Sequence, residues 1–344
     1  MATIFSAFCL NFINISRFKP FMKVFITGAT GFIGSHLADH FLAEDSVEVR
    51  CLVRSKAKWL DEKPITVIKG DLNDVVALKK GLTEADVVFH LAALVKAPKE
   101  ETLIRTNVEA TENLIRMAQK CNVLKIVVLS SLAAVGPSFD SPVNEDDEML
   151  PISMYGKSKK LMEEMIHNVA RPEDSITILR PPAVFGPREE QIYSFFKICS
   201  RGFCPIVGDG DTSRISMVHV KDVIQGLVLA SGQKEKGIHT YFVSSDTDYT
   251  WNEIKMATSY ALGKKLLTLR VNPRIIHGIG TMLEAVGSLF GQYPVMNKDK
   301  AREMTMQWTC STDKIRHELG YKQSISLQEG IKDTINWYKK HNWL

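Results

Sequence analysis

No Cys-x-x-Cys pair occurs in this chain, and its six cysteines (Cys9, Cys51, Cys121, Cys199, Cys204, Cys310) keep no histidine cluster at metal-ligand spacing. That scatter argues against a zinc site and a disulfide framework, and it fits a reducing compartment. Cys51 and Cys121 lie beside apolar runs and read as small buried hydrophobes. No apolar run is long enough to span a bilayer without interruption. Internal repeats and low-complexity linkers are missing too. Charge of one sign is not concentrated: 43 basic and 39 acidic residues are interspersed, for a net charge of +4, so no nucleic-acid partner is expected. A small-molecule substrate and a cytoplasmic location are the simpler expectations. What is present is ordinary globular composition, 45% hydrophobic and 24% charged over 344 residues, ample for a full core.

Residues 1–21 read as an N-terminal extension outside the fold. Their apolar stretch from Ile4 to Ile15 precedes Arg17 and Lys19, the reverse of a signal peptide. The folded pattern starts near Met22. From there short β-branched runs alternate with helical spacing: strands at Lys23–Thr27, Val47–Val53, Thr66–Lys69, Val87–Leu91, Lys125–Ser130 and Ile176–Arg180, with helices at Phe32–Leu42, Val75–Gly81, Leu103–Lys120 and Ser153–Ala170. Such alternation predicts an α/β fold, a Rossmann-type doubly wound parallel sheet with ligands at the carboxyl ends of its strands. Residues 22–180 are expected to form the dinucleotide-binding domain. Residues 181–344, where the rhythm loosens around a short strand at Tyr241–Val243, are expected to form a smaller substrate-binding lobe packed with it as one unit.

Between the first strand and the first helix lies Thr27-Gly28-Ala29-Thr30-Gly31-Phe32-Ile33-Gly34. Glycines at 28, 31 and 34 permit a tight turn, close approach of a pyrophosphate and close packing of helix on strand, while the helix N-terminus offers N–H groups to phosphate. A simple strand-to-helix turn could use the same glycines, but strand, loop and helix occur here in the order a dinucleotide requires. Thr30, Phe32 and Ile33 fall within the same cradle. The second strand ends Val53-Arg54-Ser55-Lys56, with no acid to hold a ribose 2′-hydroxyl. Arg54 suits a 2′-phosphate instead, so NADP(H) is favoured over NAD(H), the alternative being a solvated basic loop. Asp71 and Leu72, after the third strand, suit the adenine. Leu91, Ala92 and Ala93, ending the fourth, are small enough to let a cofactor pass.

Tyr155 and Lys159 stand one turn apart at the start of a helical segment, on one face. A phenol is a poor proton shuttle at neutral pH, and a neighbouring ammonium together with a positive nicotinamide would favour its phenolate. That pairing serves acid–base chemistry on an alcohol or carbonyl. Ser131, at the preceding strand's end, can hydrogen-bond the reacting oxygen. The spacing alone is common in amphipathic helices; it gains meaning from following the glycine loop and Ser131 in order.

Together TGATGFIG, HLAA, SSLAAVGP, YGKSK and LRPPAVFGP resemble the extended short-chain dehydrogenase/reductase superfamily, from Met22 nearly to the end of the chain. The resemblance implies Ser131, Tyr155 and Lys159 as the catalytic triad, with Pro181, Pro182 and Val184 along the nicotinamide ribose and carboxamide. It makes Asn107 a buried structural support, and it implies a homodimer through the helices holding Leu103–Lys120 and Ser153–Ala170. SSLAAVGP is similar to 3β-hydroxysteroid dehydrogenases, Val53-Arg54 to dihydroflavonol-type carbonyl reductases, and the Trp308–Ser311 and Glu318–Tyr321 stretches to both. Nucleotide-sugar epimerases carry a diphosphate-binding arginine with acidic and aromatic neighbours; here Arg214 lacks those neighbours.

Residues 275–293 are apolar and small, with Glu284 the only charged side chain. They read as a buried core helix, a lid over the substrate, or a peripheral membrane contact. Three functions follow: an NAD(P)-dependent oxidoreductase acting on a hydrophobic steroid-, flavonoid- or lipid-like alcohol or ketone; a nucleotide-sugar epimerase or dehydratase with bound NAD; and a non-catalytic dinucleotide sensor.

Overall fold

The computed structural model describes residues 22–272, 275, 276, 278, 281–283 and 298–344. The extension at 1–21 and most of the 275–293 stretch lie outside the described residues, so the readings of both stay as stated above. Seven strands form one parallel sheet: β1 (Met22–Thr27), β2 (Val47–Val53), β3 (Thr66–Lys69), β4 (Val87–His90), β5 (Lys125–Leu129), β6 (Ser175–Arg180) and β7 (Gly237–Phe242). Their order is β7-β6-β5-β4-β1-β2-β3, every pair parallel. The order reverses between β1 and β4, which opens a crevice at their carboxyl ends.

Alternating side chains send β1 into two cores. Val24 and Ile26 pack on one face with helices α1 (Phe32–Leu42) and, later in the chain, Val220–Ser231; Phe25 packs on the other with α2 (Val75–Leu82), α3 (Ala110–Lys120) and α4 (Met154–Val169). Strands with both faces covered need near-continuous apolar sequence, and the runs KVFIT, VVFH and KIVVL supply it.

Two elements differ from the sequence reading. Residues read as a short strand of the smaller lobe belong to β7, which completes the main sheet beside β6 in the register Gly237↔Ser175 to Phe242↔Arg180. Only Tyr241 and Phe242 of β7 are buried, so an edge strand with polar residues shows no apolar run to mark it. The stretch expected as one helix at Leu103–Lys120 begins earlier, at Glu100, and contains a π-helical turn at Arg105–Glu109. That turn carries Asn107 inward, fully buried.

Beyond β6 a third core gathers Phe185, Phe196, Ile254, Ile331, Ile335 and Tyr338. Its helices Trp251–Leu262 and Leu327–Lys340 each begin with a reciprocal capping box, Thr250 with Glu253 and Ser326 with Glu329. A small parallel pair, Phe203–Val207 with Leu267–Val271, lies at its edge. Among the described residues no helix is long and apolar enough to cross a membrane.

Candidate active site

The loop at the switch point is held by backbone contacts that only glycine allows. Gly28 has φ +74°, and a Cβ there would come within 2.5 Å of the Ala92 backbone nitrogen, so the ends of β1 and β4 are pressed together. At Gly34 a Cβ would meet the Gly28 carbonyl oxygen at 2.2 Å, so α1 packs directly on the loop. Gly31 differs: it is exposed, and an added methyl would meet only the Gly28 oxygen, at 3.2 Å. It is also the N-cap of α1, with no side chain capping the helix and no acid in its first turn. The fold therefore leaves the positive end of α1 open at the switch point, the arrangement a dinucleotide pyrophosphate requires. These residues fit the cofactor expected from sequence.

Around this crevice, Thr30, Phe32 and Ile33 are partly buried in the loop and first turn. Leu91 donates its N–H to the Thr27 carbonyl (3.1 Å), and Ala92 and Ala93 follow with increasing exposure. Arg54 is exposed just past β2 and makes no hydrogen bond or ion pair with the described residues. Asp71 is exposed with one carboxylate oxygen accepting from the Asn73 N–H (2.8 Å), while Leu72 is buried. Pro181 accepts from the Leu132 N–H (2.9 Å), which fixes it beside Ser131; Pro182 follows, and Val184 lies in a short strand paired to Val218.

Ser131, Tyr155 and Lys159 converge at the carboxyl ends of β5 and β6. Ser131 follows β5 and caps a short turn, accepting from the Ala133 N–H at 3.1 Å. Helix α4 lies against that turn: a Cβ on Gly156 would sit 2.2 Å from the Ala133 carbonyl oxygen. This close approach brings Tyr155 onto Ser131, whose hydroxyl interacts with the phenol and favours its ionised form. Ser153 caps α4 through the Gly156 N–H, fixing where the helix begins.

Lys159 together with a bound nicotinamide was expected to favour the Tyr155 phenolate. The surrounding protein works against ionisation: burial raises the phenol to about 12, with Ser131 opposing and Glu303 adding to the rise. The lysine amine turns beneath the sheet edge and donates to the Leu129 carbonyl at 2.7 Å. Its own pKa falls to about 8 through burial, against the raising influence of Glu163. At neutral pH the pair is thus a protonated phenol above a charged amine.

Sequence reasoning missed the polar groups beneath the site. Glu163, one further turn along α4, is buried and paired with Arg180 from the end of β6 (2.7 Å and 3.1 Å), and Ser130 donates to its other oxygen. Their positions, four residues past Lys159 and at the end of an apolar strand, were the available signal. His90 is buried between Thr27 (2.7 Å) and Thr111 (2.8 Å), its pKa driven down to about 3 by burial and then by Lys159. It is a neutral spacer. Asn107 bonds both the N–H and the C=O of Leu94 (2.7 and 2.9 Å) and reaches the Ser158 hydroxyl (2.9 Å), tying the loop after β4 to the helix of Tyr155. Arg214 is exposed and donates to the Asp248 carbonyl at 2.9 Å.

This sheet and this site define a nicotinamide-dependent enzyme of the extended short-chain dehydrogenase/reductase kind. The chain belongs to the NAD dependent epimerase/dehydratase family, whose model matches residues 24–243. It is 30% identical over 326 residues to the ceramide reductase of Caulobacter vibrioides, covering 93% of this chain and 96% of that one. Against the N-acetyl-alpha-D-glucosaminyl-diphospho-ditrans,octacis-undecaprenol 4-epimerase of Escherichia coli O157:H7 it is 26% identical, covering 93% and 96%. The solved structure of MoeE5 in complex with UDP-glucuronic acid and NAD superposes with a TM-score of 0.73 at 26% identity, covering 93% of this chain and 99% of that one. The relatives thus include both reductases and epimerases.

The two kinds of glycine give separable outcomes. Gly28→Ala should lower unfolding free energy by about 2–4 kcal/mol, from a left-handed backbone and a clash with backbone that cannot yield. Gly31→Ala should cost less than about 1 kcal/mol yet weaken dinucleotide binding at least about tenfold. Denaturant unfolding and fluorescence titration with nucleotide read the two effects; equal nucleotide affinity in Gly31→Ala would remove the pyrophosphate from this helix end.

Proposed function

We propose that this chain is an NAD(P)-dependent reductase or dehydrogenase acting on the ketone or alcohol of a hydrophobic, lipid-like substrate. The observation that carries it is the Tyr155–Ser131 contact at the carboxyl edge of the sheet, beside Pro181. A bound nicotinamide supplies or accepts a hydride. Everything else is done by side chains. Ser131 donates to the substrate oxygen and holds it against the phenol. Tyr155, protonated at neutral pH because burial opposes its ionisation, gives a proton to that oxygen as the carbonyl is reduced, and takes it back in the reverse direction. Lys159, fixed by Leu129, places a positive charge beneath the site, where it favours the negative charge that develops on the oxygen and phenol. In this reading its amine also holds a ribose hydroxyl of the bound nucleotide.

Support for a lipid-like substrate comes from the likeness to a ceramide reductase and from Arg214, whose guanidinium is engaged with a backbone carbonyl. Exposed, unpaired Arg54 at the end of β2 supports NADP(H) over NAD(H). A nucleotide-sugar epimerase with retained NAD is the second reading, favoured by the similarity to MoeE5, and it uses the same three side chains. A sensor without chemistry would have no need of the intact Tyr155–Ser131 contact.

Replacing Tyr155 by Phe should reduce turnover about a hundred- to ten-thousandfold while nucleotide affinity stays within about twofold. The assay is NAD(P)H absorbance against long-chain ketones and, in parallel, nucleotide sugars. Turnover of nucleotide sugars alone would replace the reductase reading by the epimerase one, and unchanged turnover in the variant would remove Tyr155 from the chemistry. Separately, Arg54→Ala should raise the KM for NADPH about tenfold to a hundredfold and leave that for NADH alone. A wild type that prefers NADH would overturn the part given to Arg54.

A further inference from the structure

Far from the crevice, four chain ends meet at one tip of the C-terminal lobe. They are the last turn of the helix Tyr193–Ser200, the last turn of Trp251–Leu262, and the first residues of the strands Phe203–Val207 and Leu267–Val271. Lys264 clasps them by donating to the Ser200 carbonyl (2.6 Å), and the Leu267 N–H donates to the Gly202 carbonyl (2.9 Å). Phe203 and Leu267 are register partners in a parallel pair, so both side chains leave the same face. Among the described residues nothing covers that face: Leu267 is 68% exposed, and Phe203, Leu269 and Ile198 are exposed beside it. Tyr260, 63% exposed, lines an adjoining groove with Met256, Lys264 and Lys265.

The charge around this apolar tip has one sign. No acidic residue occurs from Gln191 to Gly208 or from Ile254 to Asn272, whereas those two stretches contribute Lys197, Arg201, Lys255, Lys264, Lys265 and Arg270. None of the six forms an ion pair with the described residues, although elsewhere the chain pairs its surface cations repeatedly. In a chain whose charges are otherwise interspersed, a cationic rim without acids around exposed aliphatic side chains is a local exception. A polyanion with a flat, apolar interior fits it. Aliphatic leucines enter the acyl boundary while the lysines stay at the level of the phosphates.

We propose that this tip docks on an anionic phospholipid surface, with Leu267, Leu269 and Phe203 inserted and Lys264, Lys265 and Arg201 on the headgroups. A nucleic acid would find two exposed aromatic rings, Phe203 and Tyr260, among aliphatic side chains that stack poorly (Ile198, Leu267 and Leu269), so a bilayer is the better match. None of its residues falls within 275–293, and it does not depend on which reaction the enzyme performs.

Sedimentation of the full chain with vesicles tests this. Wild type should pellet with phosphatidylcholine vesicles containing about a third phosphatidylglycerol, stay in solution with phosphatidylcholine alone, and be released at about 1 M salt, where charge attraction is screened. Lys265→Gln with Arg201→Gln should weaken binding about thirtyfold. Leu267→Ser with Leu269→Ser should weaken it by a similar factor, with thermal unfolding and nucleotide affinity unchanged in both. Equal binding to the two vesicle types, binding to neither, or full binding retained by both variants would each overturn the proposal. So would retention of an oligonucleotide or polyglutamate that the charge variant loses while wild type ignores the vesicles. The lipid comparison needs only wild type, so it decides even if a variant fails to fold.

Discussion

A buried ammonium donating to a strand-end carbonyl organises this site. Lys159 is almost wholly removed from solvent, and its Nζ meets the Leu129 oxygen at 2.7 Å. An isolated ammonium in such a place is costly, and burial accordingly lowers its pKa to about 8. The charge survives near neutrality because Glu163 lies one turn further along the same helix and opposes the fall. Glu163 is in turn held by Arg180 and Ser130 from the ends of β6 and β5. The sheet edge, the helix and the cation are thereby one unit. Removing a partner from a buried ion pair of this kind typically costs about 3–5 kcal/mol, because the remaining charge is left unsatisfied.

The geometry of Tyr155 follows from that unit. Helix α4 can lie on the turn after Ser131 only because residue 156 has no side chain. Lys159 anchors the helix to β5, Asn107 anchors it to the loop after β4 through Ser158, and Ser153 sets its first turn. Tyr155 has little freedom left. Its phenol, raised to about 12, stays protonated across physiological pH, which suits proton donation to a carbonyl being reduced. In this arrangement the lysine anchors the helix through the Leu129 carbonyl and places its charge beneath the site.

What could be read in the sequence was what depends on local spacing. The glycine loop, the apolar strands and the Tyr155–Lys159 face are encoded within a few consecutive residues, and the strand and helix bounds read from them agree with the structure to within one or two residues at Thr66–Lys69, Phe32–Leu42 and Met154–Val169. What escaped depends on residues brought together from afar. β7 is an edge strand whose first four residues are only half-buried, and it joins the sheet through the crossover helix Val220–Ser231. The π turn at Asn107 exists because a buried amide found partners at Leu94 and Ser158, neither visible from its own neighbours. The bond of the Lys159 amine escaped for the same reason: helical spacing places the residue on the face of Tyr155, but the carbonyl it donates to belongs to β5.

The most direct test is the titration of the Lys159 amine itself. Heteronuclear NMR of its Nζ in the full chain, assigned by the loss of the signal in Lys159→Arg, should show a midpoint near pH 8, with the ammonium charged below it and neutral above. A midpoint near the ordinary lysine value, about 10.4, would mean that the amine is solvated instead of bonded to Leu129, and the account of how this helix is held would fail.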